Sequence, residues 1–224
     1  MRYKKLLLVT NICACILCSL PISSQSKDSL YQGQEQRLHY KSFVSFAYII
    51  PNVSGSGFYG NNLKASYGLN AEIQLGLYKG LYLGGGYEYI SLERTSSQPF
   101  PEYRTEGSTG VYMFVGYEYF FLNHFIVGAK YGFLSDARYR NIVFSPNEQN
   151  LIDDAEFQKF SIYFEYVFYK VFSVFVNYTC REDRMNINLP EVLQPEFDKV
   201  RYNNINLGLR IRFLDKGLVG YLSS

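Results

Sequence analysis

The chain has 224 residues, enough for one domain of ordinary size, and 18% of them are aromatic, with 22 Tyr, 18 Phe and no Trp. Its 22 Lys and Arg against 20 Asp and Glu leave a formal charge of only +2, which is no electrostatic case for a nucleic-acid partner. Tyr and Phe favour strands, and Tyr suits a boundary that is greasy on one side and wet on the other.

The predicted elements begin with a leader. Arg2, Lys4 and Lys5 precede a short apolar run, Leu6 to Leu20, that stops at Pro21 and is followed by Ser23 and Ser24. That pattern predicts a cleaved secretory signal over residues 1–24, the run being short for a membrane anchor. Ile12-Cys13-Ala14-Cys15 partly matches a lipobox but falls early in the apolar run. Cleavage removes Cys13, Cys15 and Cys18 and leaves Cys180 alone, so no disulfide framework is expected. One Cys with His39 and His124 makes no zinc cluster, and no metal or other cofactor is expected. Cleavage also lowers the basic count from 22 to 19 against 20 acids, a net charge of −1.

Residues 25–39 read as a polar periplasmic lead-in. Eight strands then follow, at about Tyr40–Ile50, Leu63–Leu77, Leu81–Glu93, Gly110–Phe121, Phe125–Ser135, Phe157–Phe168, Val171–Cys180 and Arg201–Phe213. Tight turns are expected at Tyr78-Lys79-Gly80, Leu122-Asn123-His124 and Tyr169-Lys170. Long polar loops are expected at 51–62, 94–109, 136–156 and 181–200. Short turns on one side and long loops on the other suit an outer-membrane barrel with its long loops outside the cell and both termini periplasmic. Gly80-x-Tyr82-x-x-x-Gly86-Tyr87-Glu88-Tyr89 repeats as Gly110-x-Tyr112-x-x-x-Gly116-Tyr117-Glu118-Tyr119, read as convergence of similar strands rather than as a functional motif.

A period of two sorts each strand into two faces. One is apolar and almost uncharged, as in Phe160, Ile162, Phe164, Tyr166 and Phe168. The other is small and polar, with Ser66, Gly68, Gly84, Gly86, Gly116, Gly128, Ser161, Ser173 and Gly208. Periodicity cannot say which face is inside. A lipocalin-like barrel would turn the apolar face inward around a ligand. Three features favour lipid on the apolar face: its lack of charge, the small residues that an eight-stranded interior demands, and the balance of charges on the polar face. By parity the interior takes Glu72, Glu88, Glu118 and Glu165, with Lys64, Lys130, Lys159, Arg210 and Arg212. Glu118 is expected opposite Lys130, and Glu72 beside Glu88 with Arg210 or Arg212 reaching between them. The expected result is a plug of ion pairs, with a gate or proton path as the alternative.

On these strands, the leader and the aromatic strand end Arg210-Ile211-Arg212-Phe213, the chain resembles the small eight-stranded outer-membrane β-barrel proteins of Gram-negative bacteria over about residues 40–213. The resemblance implies an all-β, eight-stranded, antiparallel up-and-down transmembrane barrel. Phe213 then resembles the C-terminal signal read by the barrel-assembly machinery, although residues 214–224 follow as a tail where many members stop.

No catalytic residue is expected. His39 and His124 sit away from the extracellular side, Cys180 has no His beside it, and no Ser–His arrangement is visible. Arg138, Arg140, Arg181 and Arg184, in predicted loops, could pair with lipopolysaccharide phosphates. The expected protein is non-enzymatic, a structural or surface-interaction barrel in contact with outer-membrane lipid and lipopolysaccharide. A narrow porin or channel for small or hydrophobic solutes, a lipid-modifying enzyme and an accessory barrel of a secretion or gliding apparatus are the alternatives. The extracellular ligand is not named by the sequence.

Overall fold

The computed structural model describes residues 42–55, 58–78, 80–94, 103–122, 124–143, 149–169, 171–186 and 198–213. The expected signal, lead-in, His39 and C-terminal tail lie outside the described residues. The described elements are β1 (Phe43–Ile50), β2 (Val53–Ser54), α1 (Phe58–Asn62), β3 (Leu63–Tyr78), β4 (Leu81–Arg94), β5 (Tyr103–Leu122), β6 (Phe125–Val143), β7 (Gln149–Tyr169), β8 (Phe172–Met185) and β9 (Lys199–Arg212).

Successive strands pair antiparallel, and β1 pairs with both β3 and β9, so eight strands close into a ring. A closed ring leaves no strand edge unpaired, which is what a sheet in hydrocarbon requires. The two-residue β2 continues the line of β1 along β9, with Val53 opposite Tyr202. The interruption falls at Pro51, which has no N–H to give to a ladder. The line is held across it by Asn203, whose N–H donates to the Asn52 carbonyl at 2.9 Å.

Burial settles which face is inside. From Ala155 to Val167 every odd residue of β7 is buried and every even one exposed. The buried set includes Lys159, Ser161 and Glu165, and the exposed set includes Phe160, Ile162, Phe164 and Tyr166. A soluble barrel would have these reversed. The exposed apolar run continues to Phe168. Phe160 to Phe168 thus spans about the 9–11 residues that a tilted strand uses to cross a bilayer.

The glycines of the inner face have a specific job. Tyr82 lies opposite Gly116, and Tyr112 opposite Gly86. Phe114 lies opposite Gly84, Tyr163 opposite Gly128 and Phe175 opposite Gly208. In each pair the ring lies over the glycine. A Cβ on Gly86 would meet Tyr112 Cζ at 2.5 Å, and one on Gly208 would meet Phe175 Cζ at 2.6 Å. A narrow lumen admits large rings only where the facing residue has no side chain, and the ring in turn covers the bare backbone. This also gives the repeat a physical reason. Two antiparallel copies of Gly-x-Tyr-x-x-x-Gly place each Tyr over the other copy's second Gly, and Glu88 faces Gly110 in the same register.

The strands run further than their hydropathy suggests. β5 starts at Tyr103 rather than Gly110, β6 ends at Val143 rather than Ser135, β7 starts at Gln149 rather than Phe157, and β8 ends at Met185 rather than Cys180. Most of the expected loops 94–109, 136–156 and 181–200 that is described is therefore ladder. In β6 the register shifts between Gly132 and Asp136, at Leu134 with φ 49. The bulge flips parity, so Gly132 is buried before it and Ser135, Ala137 and Tyr139 after it. A second shift, between Ala65 and Tyr67, turns Lys64 and Ser66 outward; both are exposed, contrary to the inward parity expected of them.

Candidate functional site: the charged lumen

Among the described residues, the lumen is the one place where the fold gathers chemistry-bearing side chains away from water. Glu72, Glu88, Glu118, Lys130, Lys159, Glu165, Arg210 and Arg212 are all buried there. They fall into two networks stacked along the barrel, with partners that differ from those expected.

The network nearer the tight turns is built on β5, β7 and β9. Arg212 donates through Nη2 to Glu165 at 2.8 Å and through Nη1 to Glu118 at 3.3 Å. Arg210 pairs with Glu165 and stands 3.9 Å from Glu118. Tyr163 donates its hydroxyl to Glu118 at 3.2 Å, and Ser173 donates to Glu165. The Arg210 guanidinium also lies 3.7 Å from the centre of the Phe43 ring. Two guanidiniums thus face two carboxylates. These arginines do not reach Glu72 or Glu88, the role expected of them.

The second network is longer. Lys130, which faces Gly116 rather than Glu118, crosses the lumen to Glu72 and donates to its Oε1 at 2.6 Å. Tyr112 donates to the same oxygen at 2.6 Å, while its hydroxyl accepts from Asn70 at 2.6 Å and from Lys159 at 3.0 Å. Lys159 in turn pairs with Glu88. Tyr112 therefore ties the Glu72–Lys130 pair to the Glu88–Lys159 pair, and these lysines take the place expected of Arg210 or Arg212.

The chain of contacts continues into residues that the hydropathy pattern hides. Arg181 donates to Glu88 at 2.8 Å and, through Nε, to Asp183 at 2.6 Å. Tyr139 donates to Asp183 at 2.6 Å and meets the Tyr202 hydroxyl at 2.8 Å. Arg181 thus faces the lumen with a fully buried side chain and is not a surface arginine for lipopolysaccharide. The signal that finds it is parity alone: Ser173, Phe175, Asn177, Thr179, Arg181 and Asp183 continue one buried face of β8.

The charges close. Lys130, Lys159, Arg181, Arg210 and Arg212 are matched by Glu72, Glu88, Glu118, Glu165 and Asp183, all of them buried. A buried charge without a partner costs several kcal/mol, so the balance is a condition for this interior to exist.

The remaining candidates lie elsewhere. His124 is exposed at a tight turn with its ring edge-on to Tyr166. Cys180 is exposed on the outward face. Phe213 is exposed at the end of β9, and its N–H donates to the Ser42 carbonyl at 3.0 Å across the seam with β1. Arg138, Arg140 and Arg184 are outward and exposed, but on strands. No group of His, Cys, Asp and Glu suited to a metal occurs among the described residues.

No family model matches the chain, and no curated protein matches it. Among solved structures, Neisserial surface protein A matches with a TM-score of 0.53 at 11% identity, over 77% of this chain and 97% of that one. Ail, the attachment invasion locus protein of Yersinia pestis, matches at 0.47 with 12% identity, over 78% and 99%. The outer membrane protein OprG of Pseudomonas aeruginosa matches at 0.41 with 11% identity, over 78% and 96%. The likeness to Neisserial surface protein A, together with the closed eight-strand ring and its apolar exterior, gives this chain the fold of the small outer-membrane β-barrels.

Proposed function

We propose that this protein is a non-enzymatic outer-membrane barrel whose lumen is sealed by ion pairs, and that it acts through its surfaces or as a structural element of the envelope. The observation that carries this reading is the matched set of five buried cations and five buried carboxylates, joined by Tyr112, Tyr139 and Tyr163. Moving an ion through such an interior would mean breaking pairs that are costly to break.

The tight turns at Gly80, His124 and Val171 mark the periplasmic end in this reading, and the strand extensions the extracellular end. Both chain termini are then periplasmic, and Phe213 is presented to the assembly machinery at that side. Outer-leaflet lipid and lipopolysaccharide surround the extracellular rim.

The test is planar-bilayer conductance of the refolded protein at neutral pH. The reading expects no steady current. A steady single-channel current would instead establish the second reading, a narrow channel for small solutes. One feature favours that alternative. Asn177, Asn204 and Asn206 are buried on the β8–β9 wall with carboxamide atoms that lack a hydrogen-bond partner among the described residues, a neutral polar strip beside the ion pairs.

A further inference from the structure

Polar groups in the lumen are satisfied unevenly. Glu72, Tyr112, Lys130 and Lys159 pair with one another across it. The wall of β8 and β9 differs. There Asn177 stands opposite Asn206, and Thr179 opposite Asn204, a block of four neutral inward residues that are each at most 2% exposed. Inside the block Asn206 donates to Thr179 at 3.3 Å, and the Thr179 hydroxyl meets that of Ser161 at 3.0 Å. Asn177 Oδ1, Asn206 Oδ1 and both ends of the Asn204 carboxamide find no partner among the described residues. Neither end of the block is open along the strands. Toward the tight turns, Phe175 and Gly208 come next, and only then Ser173 and Arg210. On the other side Arg181 and Tyr202 come next, both fully buried. The block therefore lies between an arginine of each ion-pair network. The other orphaned side-chain atoms are separate from it: Gln74 and Arg212 share the row of Phe43, Arg210 lies beyond Phe175, and Ser135 sits at the β6 bulge.

The chemistry of the block says what it holds. A buried carboxamide that pairs with nothing is costly, and an apolar exterior gives it no route to bulk water through the wall. Whatever meets these atoms must donate to three oxygens and accept from one nitrogen. It must also be uncharged. The five cations and five carboxylates of the lumen already match, and a further ion would stand unpaired. It must be small, because Ser161 and Tyr163 of β7 and Ile49 of β1 flank the block in register, all buried. Water meets all three conditions. At about three hydrogen bonds per buried molecule, about two or three waters serve the four atoms and the hydroxyls beside them.

We propose that Asn177, Thr179, Asn204 and Asn206 form a closed binding compartment for water between the two ion-pair networks, so that the lumen is sealed twice, once on each side of a hydrated block. The compartment rests on the sealed-lumen reading given above, and it gives the neutral strip a role other than conduction.

The experiment is nuclear magnetic resonance of the isotope-labelled protein refolded in lipid nanodiscs, reading magnetisation transfer from water to side-chain carboxamides. Heat-modifiable gel mobility verifies folding of each variant. Long-lived water gives Asn204 cross-peaks whose NOE and ROE have opposite signs. Asn70, whose carboxamide donates to Tyr112 at 2.6 Å and to the Tyr87 carbonyl at 3.4 Å, gives none. The S161A and T179V variants remove the hydroxyls that could relay magnetisation, and the Asn204 cross-peaks persist in both. N204L is an independent readout, because Leu has about the same size and no polar atom. In a hydrated block it takes two partners from the waters and lowers the urea midpoint, whereas in a dry block it removes two orphaned atoms and raises it. Absence of the Asn204 cross-peaks in the folded protein, their loss in S161A or T179V, or a raised N204L midpoint overturns the compartment. Cross-peaks at Asn70 and Asn204 alike also overturn it. Planar-bilayer current on the same sample then separates the two readings: a steady current means that the seal fails with the compartment, and no current means that the compartment fails alone.

Discussion

Arg181 and Arg138 both sit on strand extensions beyond the apolar band, and both are read as loop residues from the sequence. Arg181 has no accessible side-chain surface and holds Glu88 and Asp183, whereas Arg138 is 73% exposed and stands 3.5 Å from Asp154. What separates them is which side of the sheet they face. The comparison teaches that in this barrel a charge acquires its weight from parity, not from its height along the strand.

That difference can be tested directly. Arg181→Ala leaves Glu88 with Lys159 alone and Asp183 without its cation, an expected loss of ~3–5 kcal/mol. Urea unfolding in lipid vesicles measures it. Arg138→Ala in the same assay should change stability by only ~0–1 kcal/mol, and equal losses would end the distinction.

The outer face sharpens the comparison along one strand. Phe164→Arg puts a charge inside the apolar band and should cost ~2–4 kcal/mol, whereas Gln158→Arg, beyond the band on the same face of β7, should cost ~0–1 kcal/mol. Vesicle refolding yields and unfolding midpoints for the two variants place the edge of the membrane between them.

A smaller effect is expected at the ring–glycine pairs. Gly208→Ala places a methyl group against the Phe46 carbonyl and 2.6 Å from Phe175 Cζ, and overpacking of this kind costs ~1–3 kcal/mol. Gly85→Ala, on the outward side of β4, has only the Tyr112 carbonyl at 3.6 Å and should be tolerated. The smallest effect has the opposite sign. Leu134 holds φ at 49, a conformation that costs an L-residue ~1–2 kcal/mol, so Leu134→Gly should raise the unfolding midpoint.

Much of the barrel can be read from residue alternation. The strand cores, the tight turns at Gly80 and His124, and the inward parity of eight of the nine expected lumen charges all follow from it. The strand ends do not, because an outward residue turns polar where lipid stops, while the ladder continues. Glu182 and Arg184 therefore look like loop residues although they are paired in β8. Parity itself fails at bulges, so Lys64, inward by simple alternation, is exposed beside the shift between Ala65 and Tyr67. Partner choice across the lumen is hidden for another reason. Hairpin register places only neighbours, whereas Lys130 reaches Glu72 from β6 to β3, a contact created by ring closure. The Gly-x-Tyr repeat is visible in the sequence, but its meaning appears only when the two copies are laid antiparallel.

The central claim is that the apolar face meets lipid and the charged face is sealed inside. Spin labels on the adjacent residues Ser161 and Ile162, in a cysteine-free background reconstituted in bilayers, test it most directly. The account predicts that a label at Ile162 collides freely with oxygen dissolved in the hydrocarbon, while one at Ser161 is immobilised and shielded from oxygen. The opposite pattern, with Ser161 open and Ile162 shielded, would contradict it and turn the barrel inside out.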